Sequence, residues 1–416
     1  MALYSLRFAH AGNLRLNQPL RGAGSLTDAA RCIAEDAPAR AWERLVAACI
    51  EHDVDFLLLT PRTLPGTTLI DDRRALLAGF RRLADSSIPV FWALEDGEPP
   101  DVFAYEEWPG NVTMLSDRQP TAALSCDGRV LAELTLGGAG HETAGDRPDV
   151  LALPGDQPLR ILVPDHPDAF DQMSEPENGG NSSGQVSTAA CHDYIACWGA
   201  SHRQSRSVGI TLVADPGPPQ GRSVDETGGG GIDIVDWHAG RIADIVRVPT
   251  ASVRWERCPL VVTPETSRAE LIERLQFMLI EREPAIGESL WLLRWRITGS
   301  GPCIELLSDP ALCREIEQAV ESAFGDSPRL TRVHRWEVCP REAAATDSAS
   351  TMLQAWLTEN AETAWPAVKQ EVEAELNRAR IAPFADGLSQ LPAGAVREAA
   401  ELLRAGWLAN SVRDAG

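Results

Sequence analysis

The sequence predicts an α/β fold: a layered α/β core, then a smaller α+β unit, then a helical tail. Three observations carry that reading. Between Leu3 and Leu94, short apolar runs alternate with helical patterns, a β-α-β-α-β order that builds a sheet with crossover helices. From Asn111 to about Val163, and from Tyr194 to Val248, the helical period gives way to short strands and turn signals, enough for the second sheet of a sandwich. Beyond Trp255 the order β-α-β-β-α-β is that of a split βαβ unit.

Each element has its own signal. Residues 3–9 alternate in polarity and read as a strand, and Gly22 to Pro38 reads as a loop with a short helical piece. Ala39 to His52 is an amphipathic helix with Trp42, Leu45, Val46, Cys49 and Ile50 on one face. The apolar run from Val54 to Leu59 follows as a buried strand. Asp71 to Asp85 is a second helix, with Leu76, Leu77, Phe80 and Leu83 inward, and Ile88 to Leu94 is the next buried strand. Asp171 to Ala189 is polar and rich in Gly and Ser, a surface loop.

In the later part, Leu260 to Thr263 reads as a strand, and Ser267 with Glu270 forms a capping box for a helix to Arg282. Trp291, Leu293, Trp295 and Ile297 alternate against Arg294 and Arg296, a half-buried strand. Cys303 to Leu306 reads as another strand. Asp309-Pro310 opens a helix to Gly325, and Leu330 to Val338 closes the unit. Thr351 to Arg380 and Ala393 to Ala409 are helical, broken near Pro383 and Pro392. The expected domains are 1–254 (core), 255–340 (cap), 341–350 (linker) and 351–416 (helical tail).

A chain of 416 residues suits two or three domains. No apolar run approaches membrane-spanning length, and MALYSLRFAH lacks a secretory pattern, so the reading is cytoplasmic with no membrane contact. The nine cysteines are scattered and never form C-x-x-C, which argues against a disulfide framework or a structural zinc site. A net charge of −22 argues against gripping DNA through a broad basic face. Basic charge is almost all Arg, with Lys369 the only lysine, so any nucleic-acid contact is local or supplied by a partner.

The stretch Phe8 to Gly22, FAHAGNLRLNQPLRG, is a strand running into a loop with clustered polar side chains. It resembles the opening motif of calcineurin-like metallophosphoesterases, in the branch of bacterial DNA-repair exonucleases of the SbcD type. His10, Ala11, Leu14, Leu16, Pro19, Leu20, Arg21 and Gly22 keep the frame. Asn13 stands where that family has a metal-binding Asp, and Arg15 where it has a metal-binding His. The second motif fits Val54 to Gly66, with Arg62 in place of the Asp that bridges two ions. The third fits Ile88-Pro89-Val90 and Glu95-Asp96-Gly97-Glu98, with Asp96 for the Asn ligand and Gly97 for the His that protonates the leaving group. Asp165 or His166 falls where a ligand His follows the strand Leu159 to Val163. The last motif fits Asp193 to Cys197; without a gap both of its histidines are gone, and with one inserted residue only His202 survives. Asp215 to Arg222 and Glu226-Thr227-Gly228 match the stretch that follows, and Val253 to Glu256 fits the approach to the cap.

The resemblance implies a four-layer α/β/β/α metallophosphoesterase sandwich with a smaller cap. In the family the cap helps bind DNA and the C-terminal helices dock on a large ATPase. Two manganese ions would hydrolyse a phosphodiester there. At these positions a guanidinium about 4 Å from a dication is opposed by roughly 8 kcal/mol at an effective dielectric near 20.

The first reading is therefore a catalytically silent relative with no cofactor, a scaffold or interaction subunit for an SMC-like ATPase bound through 351–416. The second is an active phosphodiesterase or DNA exonuclease with Asp96, Asp165, His166 and His202 around one manganese ion. A third has Arg15 and Arg62 holding a phosphate without cleaving it.

Overall fold

The computed structural model describes residues 5–16, 18–64, 70–95, 98, 108–137, 157–172, 191–238, 240–325 and 330–340. These fall into two compact units, one formed by 1–258, 278–294 and 324–335, the other by 259–277, 295–323 and 336–416. The linker at 341–350, the tail at 351–416 and most of the polar loop at 171–189 lie outside the described residues.

The first unit is built on two six-stranded sheets. In the first sheet, β1 (Ser5–Ala11), β2 (Phe56–Leu59), β3 (Val90–Ala93) and β4 (Val112–Leu115) run parallel. β11 (Gly231–His238) and β12 (Arg241–Pro249) add antiparallel strands beside β1. The second sheet has the order β5-β6-β7-β8-β10-β9. Its strands are β5 (Thr121–Cys126), β6 (Arg129–Leu136), β7 (Leu159–Val163), β8 (Tyr194–Ala196), β9 (Gln204–Val208) and β10 (Thr211–Asp215). The sequence placed all later strands in the second sheet; β4, β11 and β12 instead complete the first, because a strand's partner is set by long-range pairing that periodicity does not encode.

The strands' period of two sorts their side chains between two cores. Ala9, Ala11, Leu57, Leu59, Val90 and Trp92 face α1 (Asp28–Glu51) and α2 (Ile70–Asp85), where Trp42, Leu45, Val46, Leu76, Phe80 and Leu83 meet them. The alternate residues Phe8, Phe56, Leu58 and Phe91 face Leu134, Ile161, Val163 and Tyr194 of the second sheet. Phe8 stacks on Phe56 at 5.0 Å, and the Tyr194 ring meets Phe8 edge-on at 5.2 Å. Each such buried side chain contributes about 1.5–3 kcal/mol. Helices, sheet and sheet thus form successive layers. On the far face of the second sheet, Ala169 of the short helix α3 (Ala169–Gln172) packs with Leu162, Ile195 and Val213.

Two details of α1 differ from the sequence expectation. The helix runs unbroken through Pro38, capped by Thr27, whose hydroxyl accepts from the Ala30 amide at 3.3 Å. Pro38 is buried with Ala30, Ala34, Ala37 and Ala41, so tertiary packing offsets a local cost of about 3 kcal/mol. Ile50, expected on the buried face, is 36% exposed at the helix end.

The three strands β13 (Val253–Val262), β14 (Leu290–Gly299) and β15 (Thr331–Pro340) form a third sheet in that order. In the second unit, α4 (Arg268–Ile280) starts at Ser267, whose hydroxyl accepts from the Glu270 amide at 3.2 Å. α6 (Pro310–Glu321) is capped by Asp309, and Gln276 of α4 donates to the Ala319 carbonyl of α6 at 2.9 Å. Residues 303–306, expected as a strand, form the helix α5 (Pro302–Leu306). Gly301 adopts φ 104° and Pro302 opens the first turn, a helix start that a short apolar run conceals. The order of this region is therefore β-α-β-α-α-β.

Candidate functional site

The polar residues singled out by the sequence that the structure describes lie in loops that follow the C-terminal ends of parallel strands, the usual place for a ligand in an α/β sheet. The loop after β1 and the loop after β2 run side by side. The amides of Asn13, Arg15 and Leu16 donate to the carbonyls of Pro61, Arg62 and Thr63 at 3.3, 2.8 and 3.0 Å. Gly12 makes this approach possible, since a Cβ there would lie 2.3 Å from the Thr60 hydroxyl. Asn13, Arg15 and Arg62 all adopt left-handed backbone, with φ of 58°, 46° and 67°. Each costs on the order of 1–3 kcal/mol, and such residues concentrate at functional loops.

Both arginines are committed to acidic partners. Arg15 donates to Glu226 at 3.2 Å, and Glu226 also takes Arg222 at 3.0 Å. Arg62 donates to Glu95 at 3.3 Å and lies 5.1 Å from the centre of the Trp198 ring. The backbone of the Arg62 loop is held by Glu98, which accepts from the amides of Arg62 and Leu64 at 2.9 and 2.5 Å. Burial pushes the Glu98 carboxyl up to about 7, and the three amides that bond it pull the other way. Trp198 is buried and donates to the Pro164 carbonyl at 2.8 Å, which fixes the ends of β7 and β8 together.

Behind this loop pair sits a buried polar layer. His10 is fully buried, its Nδ1 is 2.9 Å from the Tyr194 hydroxyl, and burial, with Arg247 nearby, lowers its pKa to about 3. The imidazole is therefore neutral. Asp233, opposite His10 in the β1–β11 register, is fully buried and accepts from Arg203 at 2.9 and 3.0 Å and from Arg247 at 3.3 Å. Arg247 also donates to the Pro216 carbonyl at 2.6 Å. Burial lowers its pKa, opposed by Asp233. Asp215 accepts from the amides of Ala200 and Gly217, and burial raises its carboxyl above the ordinary value.

The structure brings Asn13, Arg15 and Arg62 together. Asp165 is exposed and His166 half-buried just after β7. His202 is exposed in the loop after β8, with its Nδ1 3.1 Å from the Ser201 hydroxyl and its backbone against Gly217. Asp96 and Gly97 lie outside the described residues; the partner the structure gives Arg62 is Glu95. Sequence reasoning did not pick out Asp233, Arg247 or Arg203 as site residues, and gave Tyr194 only as part of the frame of the last motif. An acid inside the apolar strand GIDIV was the available signal for Asp233, because a carboxylate in a buried strand needs a cation.

The donor set does not fit a carboxylate-bridged pair of divalent ions. Guanidinium groups only donate, so positions 15 and 62 offer a cation no lone pair. Asn13 Oδ1 and His10 Nε2 are buried without a hydrogen-bond partner, but one amide oxygen and one imidazole nitrogen fall short of such a centre, and among the described residues no three His, Cys, Asp or Glu side chains cluster to hold an ion.

No protein-family model matches the sequence, and no curated protein matches it. Solved structures do. The chain is similar to a protein described as a 5′-nucleotidase from Staphylococcus aureus in complex with alpha-ketoglutarate. Identity is 12%, the match covers 60% of this chain and 55% of that one, and the TM-score is 0.35. It is also similar to a dimetal phosphatase from Danio rerio, with 11% identity, 59% of this chain, 99% of that one and a TM-score of 0.31. The chain thus matches about half the length of the nucleotidase. Among the described residues no helix is long and apolar enough to cross a membrane.

Proposed function

We propose that this chain is a catalytically silent relative of the metallophosphoesterase DNA-repair exonucleases, serving as a scaffold or interaction subunit. The observation that carries the reading is Arg62. It occupies the motif position of the ion-bridging carboxylate and is held there by Glu95 and by the Trp198 ring. Arg15 is held equally by Glu226, with only 14% of its side chain exposed. A cation seated at each motif position opposes a second cation. At about 4 Å and an effective dielectric near 20, the repulsion on a dication is roughly 8 kcal/mol. The partner in this reading is an SMC-like ATPase engaged through residues 351–416, whose apolar residues Leu353, Trp356 and Leu357 suit a helical partner.

Metal content and phosphodiesterase activity of the purified protein test the reading together. The expected result is no manganese retained after dialysis and no cleavage. Two tightly bound manganese ions per chain, with turnover, would refute it. Turnover that needs a single ion and disappears in His202→Ala would support a hydrolase built on Asp96, Asp165, His166 and His202 instead.

A further inference from the structure

The first unit holds a cavity of about 240 Å³ whose wall includes Glu226, the partner of Arg15, together with Ser201, His202, Arg203, Arg247 and the Gly228–Gly230 run. The silent-scaffold reading assigns this cavity no ligand. We propose that this cavity binds a small phosphate-type dianion, either inorganic phosphate or the phosphate of a small phosphomonoester, without a metal ion. The proposal deepens the silent-scaffold reading by naming the ligand class of that face, and it rests on that reading only in requiring no metal.

Charge is the first argument. Arg203 and Arg247 both line the cavity, and both pair with the buried Asp233. Arg15 and Arg222 both bond Glu226, which forms another wall. Asp215 lies within electrostatic reach of Arg247 but is bonded by two backbone amides. Behind Gly229, Glu288 is matched by Arg254 at 3.8 Å. Setting that last pair aside, four arginines against three carboxylates leave one positive charge in surplus, with the His202 imidazole at the wall. In a chain of net charge −22 that is a local reversal of sign. A walled cleft focuses such a field onto an incoming anion.

Donor geometry is the second. Arg203 spends its Nε on both oxygens of Asp233, and a guanidinium carries five N–H donors in a rigid fork suited to phosphate oxygens. Asp233 is wholly buried while Arg203 is 36% exposed, so the carboxylate holds the guanidinium plane in place with its outer edge in solvent. Arg15 and Arg62 are less suited to this role, being turned onto Glu226, Glu95 and Trp198.

Size is the third. Pockets for drug-sized ligands run about 300–1,000 Å³, so a cavity of about 240 Å³ suits a phosphate and a few further atoms, not a whole nucleotide.

The test is calorimetric titration of the full chain with inorganic phosphate in buffer containing a chelator, with chloride as the ionic-strength control. Saturable binding of one phosphate is expected. Arg203→Gln should weaken it about tenfold or more, the loss of a charge-assisted hydrogen bond. Thr227→Glu places a carboxylate at an exposed wall position and should weaken it as well; where Arg203→Gln does not fold, Thr227→Glu alone decides. Glycerol phosphate binding at least as well identifies a phosphomonoester ligand, and binding of inorganic phosphate alone identifies the free ion. Absence of saturable binding in chelator, or binding unchanged in the folded variants, overturns the proposal and leaves the silent-scaffold reading standing. Binding that appears only when manganese is added overturns both.

Discussion

Replacing Asp233 by Asn should be among the most damaging single changes in the first unit. The side chain is fully buried and serves two cations, Arg203 and Arg247, whose own side chains are 36% and 24% exposed. Asn keeps the shape and removes the charge. Arg247 then keeps its bond to the Pro216 carbonyl but loses its ion pair, inside a layer that also contains the neutral His10. Breaking a buried pair from one side costs about 3–5 kcal/mol, because the orphaned charge stays desolvated. With a urea m-value of about 3 kcal/mol/M, the midpoint should fall by roughly 1–2 M. Arg203→Gln should cost only about 1 kcal/mol, since its partner retains Arg247 and its own head is partly in water. The double variant Asp233→Asn, Arg247→Met should recover part of the loss, since an apolar side chain replaces the stranded cation. Urea unfolding followed by tryptophan fluorescence reads all three. A loss below about 1 kcal/mol for Asp233→Asn would mean that water reaches the pair, and the buried-layer account would fail.

Two further predictions follow from the same layer and its neighbouring loops. His10 stays neutral in the fold down to about pH 3, whereas the unfolded chain takes its proton near 6.5, so the native state binds fewer protons between these values. Stability from this group therefore falls by about 1.4 kcal/mol per pH unit as pH drops below 6.5. Glu98, pushed up to about 7, has the opposite sign: its native form binds more protons between about 4.5 and 7, so stability falls as pH rises through that window. The two slopes oppose each other between 4.5 and 6.5, and below 4.5 that of His10 stands alone. Unfolding midpoints against pH should show a steep acid limb that flattens in His10→Asn; an unchanged limb would remove His10 from the account. Gly12→Ala should cost about 1–3 kcal/mol by driving a methyl into the Thr60 hydroxyl, and adding Thr60→Ala should restore most of it; equal stability of Gly12→Ala and wild type would show that the loops are not in close register.

The core elements were legible because their signals are local. Trp42, Leu45, Val46 and Cys49 recur at helical spacing, and Phe56 to Leu59 is apolar throughout, so α1 and β2 could be read without knowing their partners. Pro38 misled because the local rule against interior proline was overridden by a packed alanine face. Residues 303–306 misled because four residues are too few to show a period, and the deciding signal was the Gly301-Pro302 start. At the candidate site, Arg15 and Arg62 could be located by motif position, but their partners could not. Glu226 lies far along the chain from Arg15, and Asp233 meets Arg203 and Arg247 only after β11 has crossed to pair with β1.

The account turns on what occupies the space between the loop after β1 and the loop after β2. Crystals of the full chain soaked in manganese, with diffraction collected at the manganese absorption edge, would show it directly. Ordered guanidinium density for Arg62 against Glu95 and Trp198 is expected, with no pair of anomalous peaks beside it. Two peaks a few Å apart at that place, with Arg62 swung away from Trp198, would contradict it.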